Sequence, residues 1–151
     1  MEFSRQVVLE PREIWWEEGG VFNPAAVELG GKIHLLYRAV GSDHISRFGL
    51  AISEDGETFI RFDQPIFEGD PNNPSERLGV ENPRATVIGR DIFITYTAVS
   101  VYPTGHVSLT GSLNLPGTPW RVRVSVLKTR DMRSFQKLGV ILPDLDSTDA
   151  V

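Results

Sequence analysis

Phe22-Asn23-Pro24-Ala25 and, 59 residues on, Glu81-Asn82-Pro83-Arg84 open two segments that echo each other through the chain. At that constant spacing Gly30 meets Gly89, Ile33 meets Ile92, Leu35 meets Ile94, Tyr37 meets Tyr96, and Ala39-Val40 meets Ala98-Val99. A single coincidence carries little, but a run of matches at one spacing marks an internal repeat. Its length exceeds that of most helical solenoid units and suits a four-stranded propeller blade with generous loops. The repeat therefore predicts an all-β chain, with function at the end where equivalent first strands converge on a common axis.

Alternation within the first copy places strands at Val21–Leu29, Lys32–Val40, Phe48–Ser53 and Thr58–Phe62, with Gly30-Gly31 as a turn. Ser53-Glu54-Asp55-Gly56-Glu57-Thr58-Phe59 reads as a tight turn. Asp55-Gly56 supplies the left-handed position, and Phe59 is expected to return into the core between units. It lacks the alternating carboxylates of a calcium loop. Thr129-Arg130-Asp131-Met132-Arg133-Ser134-Phe135 is the counterpart, 76 residues on, so the second copy is longer by about 17 residues. The extra length falls between Val99 and Arg121, where a long loop is a candidate substrate-lining lip.

The expected organisation is an N-terminal extension over 1–20, a first blade over 21–78 and a second over 79–145 with an inserted loop near 100–120. Residues 146–151 would begin a third blade. A propeller typically needs about four to eight blades, so the chain reads as part of a larger ring. Open strand edges and uncovered blade faces then predict self-association into a homo-oligomer. In the extension, Gln6-Val7-Val8-Leu9 is β-prone and expected to pack as a strand, while Trp15-Trp16 read as packing residues.

A net charge of −5 argues against a nucleic-acid partner, and 40% hydrophobic with 23% charged residues describes an ordinary globular composition. No cysteine is present, which excludes disulfides and thiol chemistry within these residues. The opening residues lack the apolar core of a signal peptide and no stretch is long enough to span a bilayer, so the expectation is a cytoplasmic protein without a membrane partner. His34, His44 and His106 show no ligand spacing, and neither metal nor organic cofactor is expected.

Polar residues stand out where first strands should point inward: Asn23, Arg38 in Leu36-Tyr37-Arg38-Ala39, and Glu81, Asn82 and Arg84. Asparagine offers paired donors and a carbonyl acceptor suited to sugar hydroxyls, and arginine adds a rigid fork. The competing reading is that Asn-Pro is turn chemistry and that Arg38 pairs with Glu81.

Those motifs, with Ser46-Arg47-Phe48-Gly49-Leu50-Ala51, Asp55-Gly56 and Thr95-Tyr96-Thr97-Ala98, resemble glycoside hydrolase family 130 over residues 20–151. The resemblance implies a five-bladed β-propeller, of which this chain supplies about the first two blades and the start of a third. It also implies action on β-mannosides or related oligosaccharides, by phosphorolysis with inorganic phosphate as co-substrate or by inverting hydrolysis. Carried over by motif, Asn23 and Arg38 bind the sugar, Glu81 and Arg84 support the loop, and Arg47 belongs to the site rim. Asn82 stands where the phosphorylases carry an aspartate as general acid, in a Glu-Asp-Pro-Arg motif. An amide cannot donate that proton. The expectation is therefore a fragment inactive alone, with a non-catalytic carbohydrate-binding propeller as the alternative.

Overall fold

The computed structural model describes residues 6–102 and 120–148. Eight strands run in chain order: β1 (Gly20–Leu29), β2 (Lys32–Val40), β3 (Ser46–Ser53), β4 (Ile60–Arg61), β5 (Val80–Ile88), β6 (Asp91–Val101), β7 (Trp120–Thr129) and β8 (Gln136–Val140). They form two four-stranded antiparallel meanders, β1-β2-β3-β4 and β5-β6-β7-β8, and no helix occurs among the described residues. The described residues are all-β, as the repeat predicts.

Each sheet opens with the same irregularity. Phe22 pairs with Arg38 and Ala25 with Leu36, so Asn23-Pro24 bulges opposite Tyr37. Glu81 pairs with Thr97 and Arg84 with Thr95, so Asn82-Pro83 bulges opposite Tyr96. Proline donates no ladder hydrogen bond, and asparagine tolerates the left-handed backbone that a bulge needs. Asn23 sits at φ 48° and Asn82 at φ 51°.

The sheets stack face to face, unlike face on unlike. Leu36, Phe48 and Leu50 of the first meet Ile94, Tyr96 and Leu127 of the second in one core, joined by Phe67, Val80 and Met132. Phe48 and Phe67 each meet the Tyr96 ring edge-on, at 6.0 and 5.8 Å between centroids, a favoured aromatic geometry. Ile94 and Tyr96 are the repeat counterparts of Leu35 and Tyr37, which point to the other face of the first sheet. There Leu35, Tyr37, Ala39 and Ala51 are covered by Trp16, with Leu9 and Ile14 against them.

Residues 6–9 are not a strand. The extension instead works as an irregular cover: Trp16 is fully buried, stacks on Tyr37 at 6.3 Å and donates its indole N–H to the Asp63 carbonyl. Phe59, expected between the two units, lies against this Trp16 cluster on the far face of the first sheet, whereas Phe135 packs between the sheets on Phe67. Both follow one rule, since each returns to its own sheet's tyrosine face. Most of the predicted inserted loop, including His106, lies outside the described residues, with β6 and β7 extending to Val101 and from Trp120 at its two ends. His34 is buried on β2. His44 is an exposed loop residue at φ 60°.

Candidate functional site

The two bulges meet at the seam between the sheets. Arg38 lies on the face of β2 that looks toward the second sheet, and its guanidinium reaches three groups. Nη2 donates to Glu81 Oε1 at 2.5 Å, Nε to Ser46 Oγ at 3.0 Å and Nη1 to Asn82 Oδ1 at 3.4 Å. Ser46 Oγ in turn donates to Glu81 Oε1 at 3.1 Å. Asn23 Nδ2 donates to Asn82 Oδ1 at 2.7 Å. Arginine only donates, so the atom that Asn82 turns toward Arg38 is its carbonyl oxygen, and Asn23 presents its amino group to that oxygen. This leaves the Asn23 carbonyl and the Asn82 amino group as a complementary acceptor and donor. Asn23 is exposed and Asn82 half-buried, the accessibility a ligand requires.

Arg38 is thus paired with Glu81, as the competing reading expected, and the same guanidinium also reaches Asn82. Phe22, partly exposed beside the bulge, lies 5.1 Å from the Arg38 guanidinium and gives it an apolar floor. Left-handed backbone at two equivalent non-glycine residues stores about 1 kcal/mol or more at each, and such conformations concentrate at binding sites.

One predicted residue sits apart from this cluster. Arg47 follows Ser46 on β3 and points to the opposite face. There Asp43 takes both its terminal nitrogens at 3.0 and 2.6 Å, Glu68 takes Nε at 2.7 Å, and the ring of Trp15 lies 4.6 Å away. The Arg47 guanidinium beside it holds the Asp43 carboxyl below its ordinary value. It is a brace between the β2–β3 loop and the segment near Glu68, without contact to Arg38 or the asparagines. Arg84 follows the second bulge and returns Nη1 to the Pro83 carbonyl at 3.0 Å, which suits a loop-supporting role.

Behind the bulges lies a device that the sequence reading missed. Tyr37 donates its hydroxyl to Glu17 Oε2 at 2.8 Å, and Tyr96 donates to Glu76 Oε1 at 2.6 Å. Both glutamates are buried, and each receives a cation from the last strand of its sheet: Arg61 on Glu17 at 3.0 Å and Lys137 on Glu76 at 2.6 Å. Burial first, and the neighbouring carboxylate second, push both tyrosine hydroxyls well above their ordinary range, so each remains a donor. The signal was present: glutamates 59 apart, each three residues before a glycine-valine pair, Gly20-Val21 or Gly79-Val80.

The cluster combines amides, a guanidinium and an engaged carboxylate, and residue 82 offers no titratable proton. Among the described residues no cluster of histidine and carboxylate side chains is arranged to hold a metal.

The sequence profile of a glycoside hydrolase family described as beta-1,4-mannooligosaccharide phosphorylase matches residues 3–148. The chain belongs to glycoside hydrolase family 130. It is 38% identical over 108 residues to a beta-1,2-mannobiose phosphorylase of Thermoanaerobacter sp. (strain X514), covering 62% of this chain and 35% of that protein. A 1,2-beta-oligomannan phosphorylase of the same organism is 35% identical over 101 residues, covering 62% of this chain and 33% of the relative. The alignments thus span about a third of each relative's length. A solved structure from the family superposes with a TM-score of 0.72 at 27% identity, over 93% of this chain and 43% of the other. It is described as showing that these mannoside phosphorylases include hydrolases that target beta-1,2 mannosidic linkages in Candida mannan.

Proposed function

We propose that this chain forms the sugar-binding wall of a family 130 enzyme acting on β-mannosides, with Asn23, Asn82 and Arg38 holding one mannose unit. The observation that carries this reading is the meeting of two equivalent bulges. Two left-handed asparagines share one hydrogen bond under an arginine, leaving a donor and an acceptor side by side. Paired donors and acceptors on a rigid sheet recognise vicinal hydroxyls. Glu81 and Ser46 fix Arg38, and Arg84 stiffens the bulge behind Asn82.

The two sheets are read as neighbouring blades of a five-bladed propeller, with β1 and β5 as the strands nearest the axis. Of the extension over 1–20, Leu9, Ile14 and Trp16 then cover the first blade, and the second is read as spanning 79–145. The relatives' activities favour a β-1,2-linked mannoside, with inorganic phosphate as co-substrate in phosphorolysis or water in inverting hydrolysis. In either reaction Asn82 binds, and the proton for the leaving oxygen comes from another residue. The second reading, a carbohydrate-binding protein without catalysis, is favoured by the same amide.

Incubation with β-1,2-mannobiose, with and without phosphate, separates these cases. Mannose 1-phosphate formed only with phosphate marks phosphorolysis, and free mannose in both marks hydrolysis. Binding without turnover selects the second reading. Strong phosphorolysis with Asn82 in place would place the acid at another residue. Absence of both binding and turnover would refute the assignment of the sugar site.

A further inference from the structure

We propose that Glu76 and Tyr96, with Lys137, are positioning residues for the Asn82 bulge, and that Glu17, Tyr37 and Arg61 do the same for Asn23. The inference rests on the sugar-site reading for its functional consequence but not for its geometry. In each sheet the tyrosine is the single residue standing opposite the two-residue bulge. Its hydroxyl is held by a glutamate from the turn that launches the bulged strand, six residues before the asparagine. The same carboxylate takes a cation from the outermost strand, which ties first, second and fourth strands together.

The turn is fixed further by its backbone. Gly20 N–H donates to the Glu17 carbonyl and Gly79 N–H to that of Glu76, while Gly19 and Leu78 N–H groups donate to the carbonyls of Val40 and Val99. In the second sheet, Glu76 Oε2 also accepts the Asp70 N–H at 3.1 Å. Gly79 lies so close to Ser46 that a Cβ there would sit 2.5 Å from the Ser46 carbonyl oxygen. Ser46 contacts both Arg38 and Glu81, so displacement of this turn moves three site residues at once. A residue needed only to fill the core would not require a buried carboxylate, whose desolvation is unfavourable unless every oxygen is engaged. Repetition of the glutamate, tyrosine and cation in both sheets argues for a selected arrangement.

The test is Tyr96→Phe, which removes one hydroxyl and leaves the ring in the core. In nitrogen-edited NMR spectra the side-chain amide signals of Asn82 and Asn23 are expected to shift and broaden. Affinity for β-1,2-mannobiose should fall about fivefold, the effect of one lost hydrogen bond. Glu76→Gln keeps one acceptor for Tyr96 but turns an amino donor toward Lys137 and the Asp70 N–H, so it should shift the same two amide signals. Ile92→Val, a core change away from the bulges, should lower the melting temperature without moving them. Unchanged asparagine signals in Tyr96→Phe, or shifted signals with unchanged affinity, would overturn the proposal. Shifted signals in a protein whose wild type binds no mannoside would leave the positioning role standing and refute the sugar site instead. Should Tyr96→Phe not fold, Tyr37→Phe and the Asn23 signals carry the same test.

Discussion

The two sheets repeat one plan and differ in what covers them. The tyrosine face of the second sheet is buried by the first sheet, while the equivalent face of the first is buried by an irregular segment centred on Trp16. A sheet face needs apolar contact area of the right shape, and a folded-over segment meets that need as a second sheet does. Their turns differ in the same way. Ser53 and Thr129 each accept two backbone N–H groups with their hydroxyls, and Asp55 and Asp131 each accept two more. The left-handed position is Gly56 at φ 80° in the first turn and Met132 at φ 58° in the second. Methionine there is strained, but its side chain is fully buried between the sheets, where glycine would leave a void.

The largest effect that would break the comparison is at Trp16. If that segment substitutes for a sheet, Trp16→Ala should destabilise the fold by about 3–5 kcal/mol in urea denaturation, as truncation of a core aromatic does. A loss below about 1 kcal/mol would show the cover to be dispensable. Next in size, Met132→Ala should cost about 2–5 kcal/mol through the cavity it leaves. Gly56→Ala, at the matching position, should cost about 1 kcal/mol, mainly from backbone strain, with the Ile33 Cδ1 yielding to a Cβ 3.2 Å away. Equal losses at the two sites would contradict the assignment of burial to one and backbone freedom to the other.

The smallest effect is electrostatic. Backbone hydrogen bonds from Ser134 and Arg133 lower the Asp131 carboxyl to about 2. Its folded value lies below the unfolded one of about 4, so its contribution is present above pH 4 and lost as pH falls toward 2. Thermal melts of wild type and Asp131→Asn should therefore converge across that window. A constant gap down to pH 2 would show that the charge is immaterial.

Much of this was readable because the repeat is carried by residues with strong local rules. Asn-Pro marked the opening of both copies, where the structure has bulges, and alternation marked the inner hairpin of the first copy, with β2 as expected and β1 one residue longer at its start. Starting β3 at Phe48 rather than Ser46 left the facing of Ser46 and Arg47 unassigned. Successive side chains point to opposite faces, so Ser46 joins the site and Arg47 does not. Glu17 and Glu76 stayed hidden because their neighbours do not match: Trp16 against Ser75, Glu18 against Arg77. Their cations were harder still, since arginine is replaced by lysine and the spacing becomes 76. The β-prone Gln6–Leu9 run forms no strand, and Leu9 contributes its side chain to the Trp16 cluster instead.

The central claim is that paired bulges bring Asn23, Asn82 and Arg38 together as a mannoside site. The direct measurement is titration of the chain with β-1,2-mannobiose while following side-chain nitrogen resonances. The account predicts that the Asn23 and Asn82 amide signals and the Arg38 Nε–H signal move together along one binding curve, and that Arg38→Ala abolishes the response. Saturable binding with these three signals unmoved, or no binding at millimolar sugar, would contradict it.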